Sequence, residues 1–141
     1  MSSGLTFTLD KLTYGGDALG KLHAPLSGAS GRAVFVPFAL PGETVRARIV
    51  EEKRGHARAE LIEVLEPSPE RIAPKCKHFF TPLSAAVGGG EGPGVGSCGG
   101  CHYQHMTYAA QLRAKEAILR DQLERIGHIE NPPIKPIAVS P

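Results

Sequence analysis

Apolar and polar residues alternate with a period of two almost from the start of the chain. Leu5, Phe7 and Leu9 are separated by Thr6, Thr8 and Asp10, the pattern of a strand with one buried and one wet face. Tyr14-Gly15-Gly16-Asp17 breaks the run as a turn. A second strand is expected over residues 18–26. The small, polar loop Ser27-Gly28-Ala29-Ser30-Gly31 comes next, and then a third strand over 32–38. Leu40-Pro41-Gly42-Glu43 reads as a tight turn into a fourth strand, 44–52, in which Val45, Ala47 and Ile49 share one face and Arg46 and Arg48 the other. Lys53-Arg54-Gly55-His56 turns the chain into a fifth strand, 57–65. There the alternation slips, because Leu61 adjoins Ile62 and Val64 adjoins Leu65. A bulge, or burial of both faces, accounts for such pairs. Five short strands in so short a stretch predict a mainly β fold, a small OB-like barrel that is closed or nearly so.

Pro67, Pro69 and Pro74 end the sheet. Residues 76–106 hold all three cysteines, and within them Pro82 to Ser97 is a Gly-rich run that reads as a mobile loop. Thr107 is placed to cap a helix in which Tyr108, Leu112, Leu119, Leu123 and Ile126 share one face, and Gly127 suits the position just past its end. The Pro-rich tail reads as extended, a linker toward a domain that the chain does not contain. The expected division is therefore a barrel domain over 1–70, a cysteine-rich segment over 71–106, a helix over 107–128 and a linker over 129–141.

Composition agrees with strands and turns: 17 Gly and 12 Pro in 141 residues, with no Trp. A net charge of +2 is a weak reason to expect a polyanionic partner, so the placement of the charges matters more. Arg32, Arg46, Arg48, Lys53, Arg54, His56 and Arg58 fall on neighbouring strands and the turn between them. Such a surface can track a phosphate backbone. Glu43, Glu51, Glu52, Glu60 and Glu63 are interleaved with them and can equally neutralise them into a solvated face. The charges alone do not choose. No basic stretch followed by an apolar one opens the chain, and no run is long enough to span a membrane. The expectation is a cytoplasmic protein, in which an odd number of cysteines points to metal ligands or reactive thiols rather than disulfides.

Cys98-Gly99-Gly100-Cys101 is a Cys-x-x-Cys loop, with Cys76 upstream. A redox dithiol would open a helix in a βαβ setting, which is missing here. Cys98-Gly99-Gly100-Cys101-His102 also fits the c-type haem pattern, but no export signal accompanies it. Two metal readings remain open. Cys76, Cys98 and Cys101 with His78, His102 or His105 make a four-ligand zinc set. An iron–sulfur cluster needs one more cysteine. The ligand count favours zinc, and a fourth cysteine beyond Pro141 would reverse that.

Three runs of the barrel resemble a TRAM domain: Gly15-Gly16-Asp17-Ala18-Leu19-Gly20, Val34 to Glu43 and Leu65 to Arg71. The residues after the barrel, Pro74-Lys75-Cys76, then Cys98 to His105, then Tyr108, Gln111-Leu112 and Lys115, are similar to the iron–sulfur segment of bacterial RNA uracil-5-methyltransferases. A TRAM domain alone also occurs in tRNA methylthiotransferases, where it lies after the radical-chemistry domain. The resemblance implies S-adenosylmethionine-dependent formation of 5-methyluridine, with 23S ribosomal RNA ahead of transfer RNA as substrate and with no DNA or membrane partner. It implies that Cys76, Cys98 and Cys101 are ligands of a 4Fe-4S cluster whose fourth ligand lies beyond Pro141. It also implies that Arg32, Arg46, Arg48, Lys53, Arg54 and Arg58 bind RNA. In this family a cysteine attacks C6 of uracil, a methyl group moves to C5 and a base removes the proton. Those residues and the cofactor loop belong to a C-terminal Rossmann-like domain, so the 141-residue chain is expected to be inactive alone. One departure from the family pattern is the insertion Thr81 to Ser97, which separates Cys76 from Cys98 in sequence. A free-standing, zinc-stabilised RNA-binding module is the alternative of a different class.

Overall fold

The computed structural model describes residues 4–23, 30–80, 98 and 100–141. Five strands, β1 (Leu5–Leu12), β2 (Ala18–His23), β3 (Ser30–Val36), β4 (Thr44–Lys53) and β5 (His56–Glu66), precede one α-helix, α1 (Tyr108–Asp121), which runs into a π-helical turn, Gln122–Ile126. The strands close into a barrel in the order β1-β2-β3-β5-β4. All neighbours are antiparallel except β3 and β5, which are parallel. Closure leaves no open sheet edge. The five expected strands are present with shifted ends. β3 stops at Val36 rather than at Phe38, because Pro37 has no N–H for the ladder and Phe38 turns to a φ of 66°. The continuation of β2 to Leu26 and the Pro82 to Ser97 run lie outside the described residues.

Inward positions obey the period of two. Phe7, Leu9, Val34, Val36, Val45, Ala47, Ala57, Ala59 and Leu61 are buried, while Arg46, Arg48 and Arg58 between them are exposed. The slip in β5 is a pair of bulges. Arg46 pairs with Glu63 and Ala47 with Leu61, which leaves Ile62 opposite nothing; Val45 pairs with Val64 and Thr44 with Glu66, which skips Leu65. Each extra residue restores the inward phase, so Leu61 and Val64 both face the core. Where β2 crosses β1 the chains come close. A Cβ on Gly20 would lie 2.8 Å from the Thr8 carbonyl oxygen, so only glycine fits.

Glu43, expected among the solvated carboxylates, is fully buried. Its Oε1 accepts from the Leu40 N–H (2.6 Å) and from Arg71 Nη2 (2.7 Å), and its Oε2 accepts from Arg71 Nε (2.6 Å) and the Ser68 N–H (3.2 Å). Arg71 also donates to the Phe38 carbonyl at 2.8 Å. A charged pair this deep requires nearly every donor and acceptor to be used, and here they are. The segment after β5 is thereby tied to the turn before β4. Glu70 makes the next link: its carboxylate accepts from the Thr107 hydroxyl (2.5 Å) and from Arg113 (2.6 Å). Thr107 in turn caps α1 by accepting from the Ala110 N–H, as its place in the sequence predicts.

The helix does not face the barrel with the expected side. Tyr108, Leu119 and Ile126 are 45%, 48% and 60% exposed, and no residue of α1 is buried. Ala110, Ala114 and Ala117 instead line a gap of about 300 Å³ between helix and barrel. The tether at Glu70 holds Arg113 toward the barrel, and with it the alanines beside it. Gly127 keeps helical dihedrals, and His128 takes the left-handed conformation instead, with φ 54°. The π-turn moves the chain reversal one residue on. No helix among the described residues is long and apolar enough to cross a membrane.

Replacing Arg71 by Met strands a buried carboxylate. That should cost on the order of 3–5 kcal/mol, read as a lower urea midpoint. A Glu43→Leu/Arg71→Met double variant should recover much of the loss. A cost below about 1 kcal/mol for Arg71→Met would show that the pair is not a major tie.

Candidate functional site

The cysteine segment is pinned to the barrel by backbone. Arg71 bridges Met106, the Ile72 N–H donates to the His105 carbonyl (3.1 Å) and the Thr107 N–H to the Glu70 carbonyl (3.0 Å). Within the segment, the Cys98 N–H donates to the His78 carbonyl at 3.2 Å, the Phe79 N–H to the Cys76 carbonyl at 3.1 Å, and the Cys76 N–H to Gln104 Oε1 at 3.2 Å. The insertion, whose residues 81–97 lie outside the described ones, is thus flanked by chain that meets at His78 and Cys98. It does not carry Cys98 away from the neighbourhood of Cys76. All three thiols are free and exposed, and the Cys98 Sγ lies 3.4 Å from where a Cβ on Gly100 would sit. Among the described residues, however, no three His, Cys, Asp or Glu side chains converge on a point where a metal could be held. The backbone brings Cys98 to His78, two residues from Cys76, while among the described residues the side chains form no ligand cage.

The histidines divide. His78 and His102 are exposed like the thiols, whereas His105 is 1% exposed. Its ring stacks on Phe79 (5.7 Å between centroids, 18° between planes) and meets Phe38 edge-on at 6.3 Å. Phe38 in turn stacks on Phe80 at 4.8 Å. These four rings seal the cysteine segment onto the barrel, with Phe80 joining the barrel core. Neither ring nitrogen of His105 makes a hydrogen bond of good geometry among the described residues. Burial pushes its pKa down to about 4, the positive Arg71 adds to this, and the backbone of Ala39 acts in the opposite direction. His105 is a neutral packing ring, set apart from the exposed thiols.

The basic residues expected to bind RNA lie on the barrel surface, five of the six beside a carboxylate, and for Arg46 and Arg48 that carboxylate is directly cross-strand. Arg46 pairs with Glu63 (2.8 Å), Arg48 with Glu60 (2.5 Å), Lys53 with Glu51 (3.1 Å), and Arg58 with Asp17 (3.4 Å). Arg32 donates to the Lys53 carbonyl (2.6 Å) and reaches Glu52. Arg54 alone of the six has no carboxylate within reach among the described residues. The other cations without one are Lys21, Lys75, Lys77, Lys115 and Lys135, which sequence reasoning did not single out as cations. Lys75 and Lys77 flank Cys76, and Lys115 stands over the Tyr103 ring at 5.7 Å. Unpaired positive charge is thus found beside the cysteines and on α1 as well as at the tip of the β4–β5 turn. The missed signal was simple: these lysines have no glutamate at a cross-strand position.

Residues 5–62 match the TRAM domain family. That span contains nearly all of the barrel. Beyond it the chain is similar to RNA methyltransferases over most of its length. It is 39% identical, over 92% of its residues, to an uncharacterized RNA methyltransferase of Aquifex aeolicus. It is 37% identical, over 94%, to the 23S rRNA (uracil(1939)-C(5))-methyltransferase RlmD of Aeromonas hydrophila. It is 35% identical, over 92%, to the uncharacterized RNA methyltransferase BH0687 of Halalkalibacterium halodurans. The chain spans only about a quarter of the length of these relatives, 25%, 25% and 23% respectively.

The His105 geometry carries a pH dependence. With a folded pKa of about 4 against an unfolded value near 6.5, the unfolded chain takes up the proton first. Stability is therefore full above about pH 6.5 and falls as the pH drops through 4, by about 3 kcal/mol in all. His105→Phe, which keeps a ring on Phe79, should flatten the stability curve between pH 6.5 and 4.5 in urea titrations. An unchanged slope would mean that His105 is not the buried neutral group.

Proposed function

We propose that this chain is the RNA-binding N-terminal region of an S-adenosylmethionine-dependent RNA uracil-5-methyltransferase acting on 23S ribosomal RNA in the cytoplasm. The observation that carries the reading is continuity. The similarity to RNA methyltransferases does not stop at the TRAM domain but runs on through the cysteine segment and α1. Those parts are joined to the barrel by Glu43–Arg71 and by Glu70 with Thr107 and Arg113. In this reading residues 1–70 bind RNA, 71–106 carry the metal, 107–128 form a strut and 129–141 lead to the catalytic domain. The nucleophile, the base and the cofactor loop belong to that domain, so the chain alone transfers no methyl group. Ribosomal RNA stands ahead of transfer RNA because the named relatives act on 23S rRNA.

Arg32, Arg46, Arg48, Lys53, Arg54 and Arg58 serve the phosphate backbone. The exposed pairs with glutamate are weak, about 0–1 kcal/mol each, so a phosphate can replace the carboxylate at little cost. Cys76, Cys98 and Cys101 are the chain's ligands for a 4Fe-4S cluster, completed by a cysteine outside it. The return of the chain to His78 at Cys98 supports this, as does the exposure of all three thiols. When bound, the cluster would cross-link the two ends of the cysteine segment, coupling metal binding to local folding. A zinc ion on the same thiols with His78 or His102 is the alternative, favoured by the absence of a fourth cysteine from the chain.

Two measurements test these assignments. An Arg46→Ala/Arg48→Ala variant should bind RNA more weakly regardless of sequence, its salt dependence flattened by up to about one unit per lost contact. Unchanged affinity and slope would return β4 to a solvated face. Anaerobic reconstitution of a longer form carrying a fourth cysteine should give a brown protein with iron and sulfide, lost in Cys98→Ser or Cys101→Ser. The 141-residue chain should instead hold zinc or nothing. Stoichiometric zinc without iron in the longer form would replace the cluster by a structural zinc site.

A further inference from the structure

On the side of the barrel where the β1–β2 turn meets α1, a groove of about 780 Å³ opens between Tyr14, the loop at His102 and Tyr103, and the helix residues Lys115 and Leu119. Its volume lies in the range of small-molecule sites. Among the described residues no carboxylate lines it, unlike the gap beneath α1, which has Asp10 and Glu70 on its walls.

Tyr14 is 84% exposed, more than any other large apolar side chain described, and the turn that carries it is rigidly built. The Thr13 N–H and hydroxyl both donate to the Asp17 carbonyl (2.8 and 2.9 Å), and the Gly16 N–H donates back to the Thr13 carbonyl at 3.0 Å. Gly15 and Gly16 both take a φ of 95°, a conformation that side chains resist. A Cβ on Gly16 would lie 3.1 Å from the His102 Cβ, so the turn rests against the cysteine loop. A turn ordered in this way has little backbone freedom left to lose on binding. Across the groove, the Lys115 ammonium is held over the Tyr103 ring at 5.7 Å with no carboxylate beside it among the described residues. Gln111 donates to the Tyr103 carbonyl at 3.1 Å and locks that loop to the helix. Desolvation raises the Tyr103 pKa, so its phenol stays neutral.

Flat aromatic surface, an exposed imidazole, an apolar helix wall and one uncompensated cation make up the recognition chemistry of an unstacked base with its phosphate. We propose that this groove binds a nucleotide of single-stranded RNA, with Tyr14 and His102 stacking on the base and Lys115 neutralising the phosphate. The proposal rests on the RNA-binding reading above and assigns to it a site distinct from the arginines of β4. It also gives a use to part of the outward apolar face of α1, since Leu119 is one wall.

The test is fluorescence anisotropy of the chain with a labelled single-stranded oligouridine and with an RNA duplex of equal length. The parent should prefer the single strand. Tyr14→Ala should weaken single-strand binding at least about fivefold, the range of one lost base–aromatic stack, while Tyr14→Phe should stay within about twofold because its ring is kept. Lys115→Ala should lower the salt slope by about 0.7, one single-strand phosphate. Tyr14 is exposed, so its variants should fold normally. The chain has no Trp and three Tyr, so quenching of tyrosine emission reports on the groove directly, and Tyr14→Ala should remove much of it. If the parent binds RNA while Tyr14→Ala and Lys115→Ala bind as tightly as it does, the groove is not an RNA site and the RNA reading still stands. Equal affinity for duplex and single strand overturns base stacking. No RNA binding by the parent overturns both readings together.

Discussion

Glu43 and Arg71 are 28 residues apart in sequence and share two short nitrogen–oxygen contacts, with the Glu43 side chain fully buried. A buried carboxylate is tolerable only when its lone pairs are occupied. Two backbone N–H groups, of Leu40 and Ser68, therefore join the guanidinium around it. Each of those donors fixes a different piece of chain: the turn that starts β4, the end of β5, and the segment that leads to the cysteines. Arg71 then reaches the carbonyl of Phe38, a residue at positive φ. That backbone is strained for a bulky side chain and is held by this contact and by the ring stack on Phe80. Without the ion pair, the barrel would still have a core, but the chain leaving it would lose its most deeply buried polar tie.

Direction matters because the elements after the barrel contribute little core of their own. The helix buries no residue and is located by polar ties: Thr107 and Arg113 to Glu70, and Lys11 to Asp121 at 3.1 Å. The Thr107 hydroxyl and Arg113 hold the Glu70 carboxyl below its usual range, so it stays charged wherever these contacts persist. The aromatic stack of Phe38, Phe79, Phe80 and His105 supplies an apolar seal between the segment and the barrel, and Met106 is buried beside it in sequence. Polar ties of this kind position an element without gripping it. They leave an apolar helix face and two grooves open to a partner.

The charge distribution obeys the same division. Between β4 and β5, short cross-strand distances give Arg46 and Arg48 a glutamate each, while Arg58 reaches Asp17 in the β1–β2 turn. Off the sheet there is no such register. Lys75, Lys77 and Lys115 have no opposing strand to present a carboxylate, and their fields remain uncompensated. A net charge of +2 conceals this separation between the paired arginines of β4 and the unpaired lysines of the flank.

Much of the barrel was legible in the residues, because burial in a sheet obeys a period of two that each strand displays by itself. Val45, Ala47, Arg46 and Arg48 declare their faces locally, and even the bulges at Ile62 and Leu65 show as broken alternation. The cap at Thr107 is likewise a matter of its immediate neighbours. The TRAM-like runs also pointed to the family that residues 5–62 match. What remained hidden was decided between distant segments. Nothing local marks Glu43 as buried; its partner comes from another element. The helix carries a good apolar stripe, yet the tether at Glu70 turns its alanines to the barrel instead. His105, one of three candidate ligands by spacing, became a packing ring once Phe38 and Phe79 met it from two sides. Local patterning specifies which face of an element is apolar. Only the tertiary structure decides what that face meets, because the deciding contacts join residues that the sequence holds far apart.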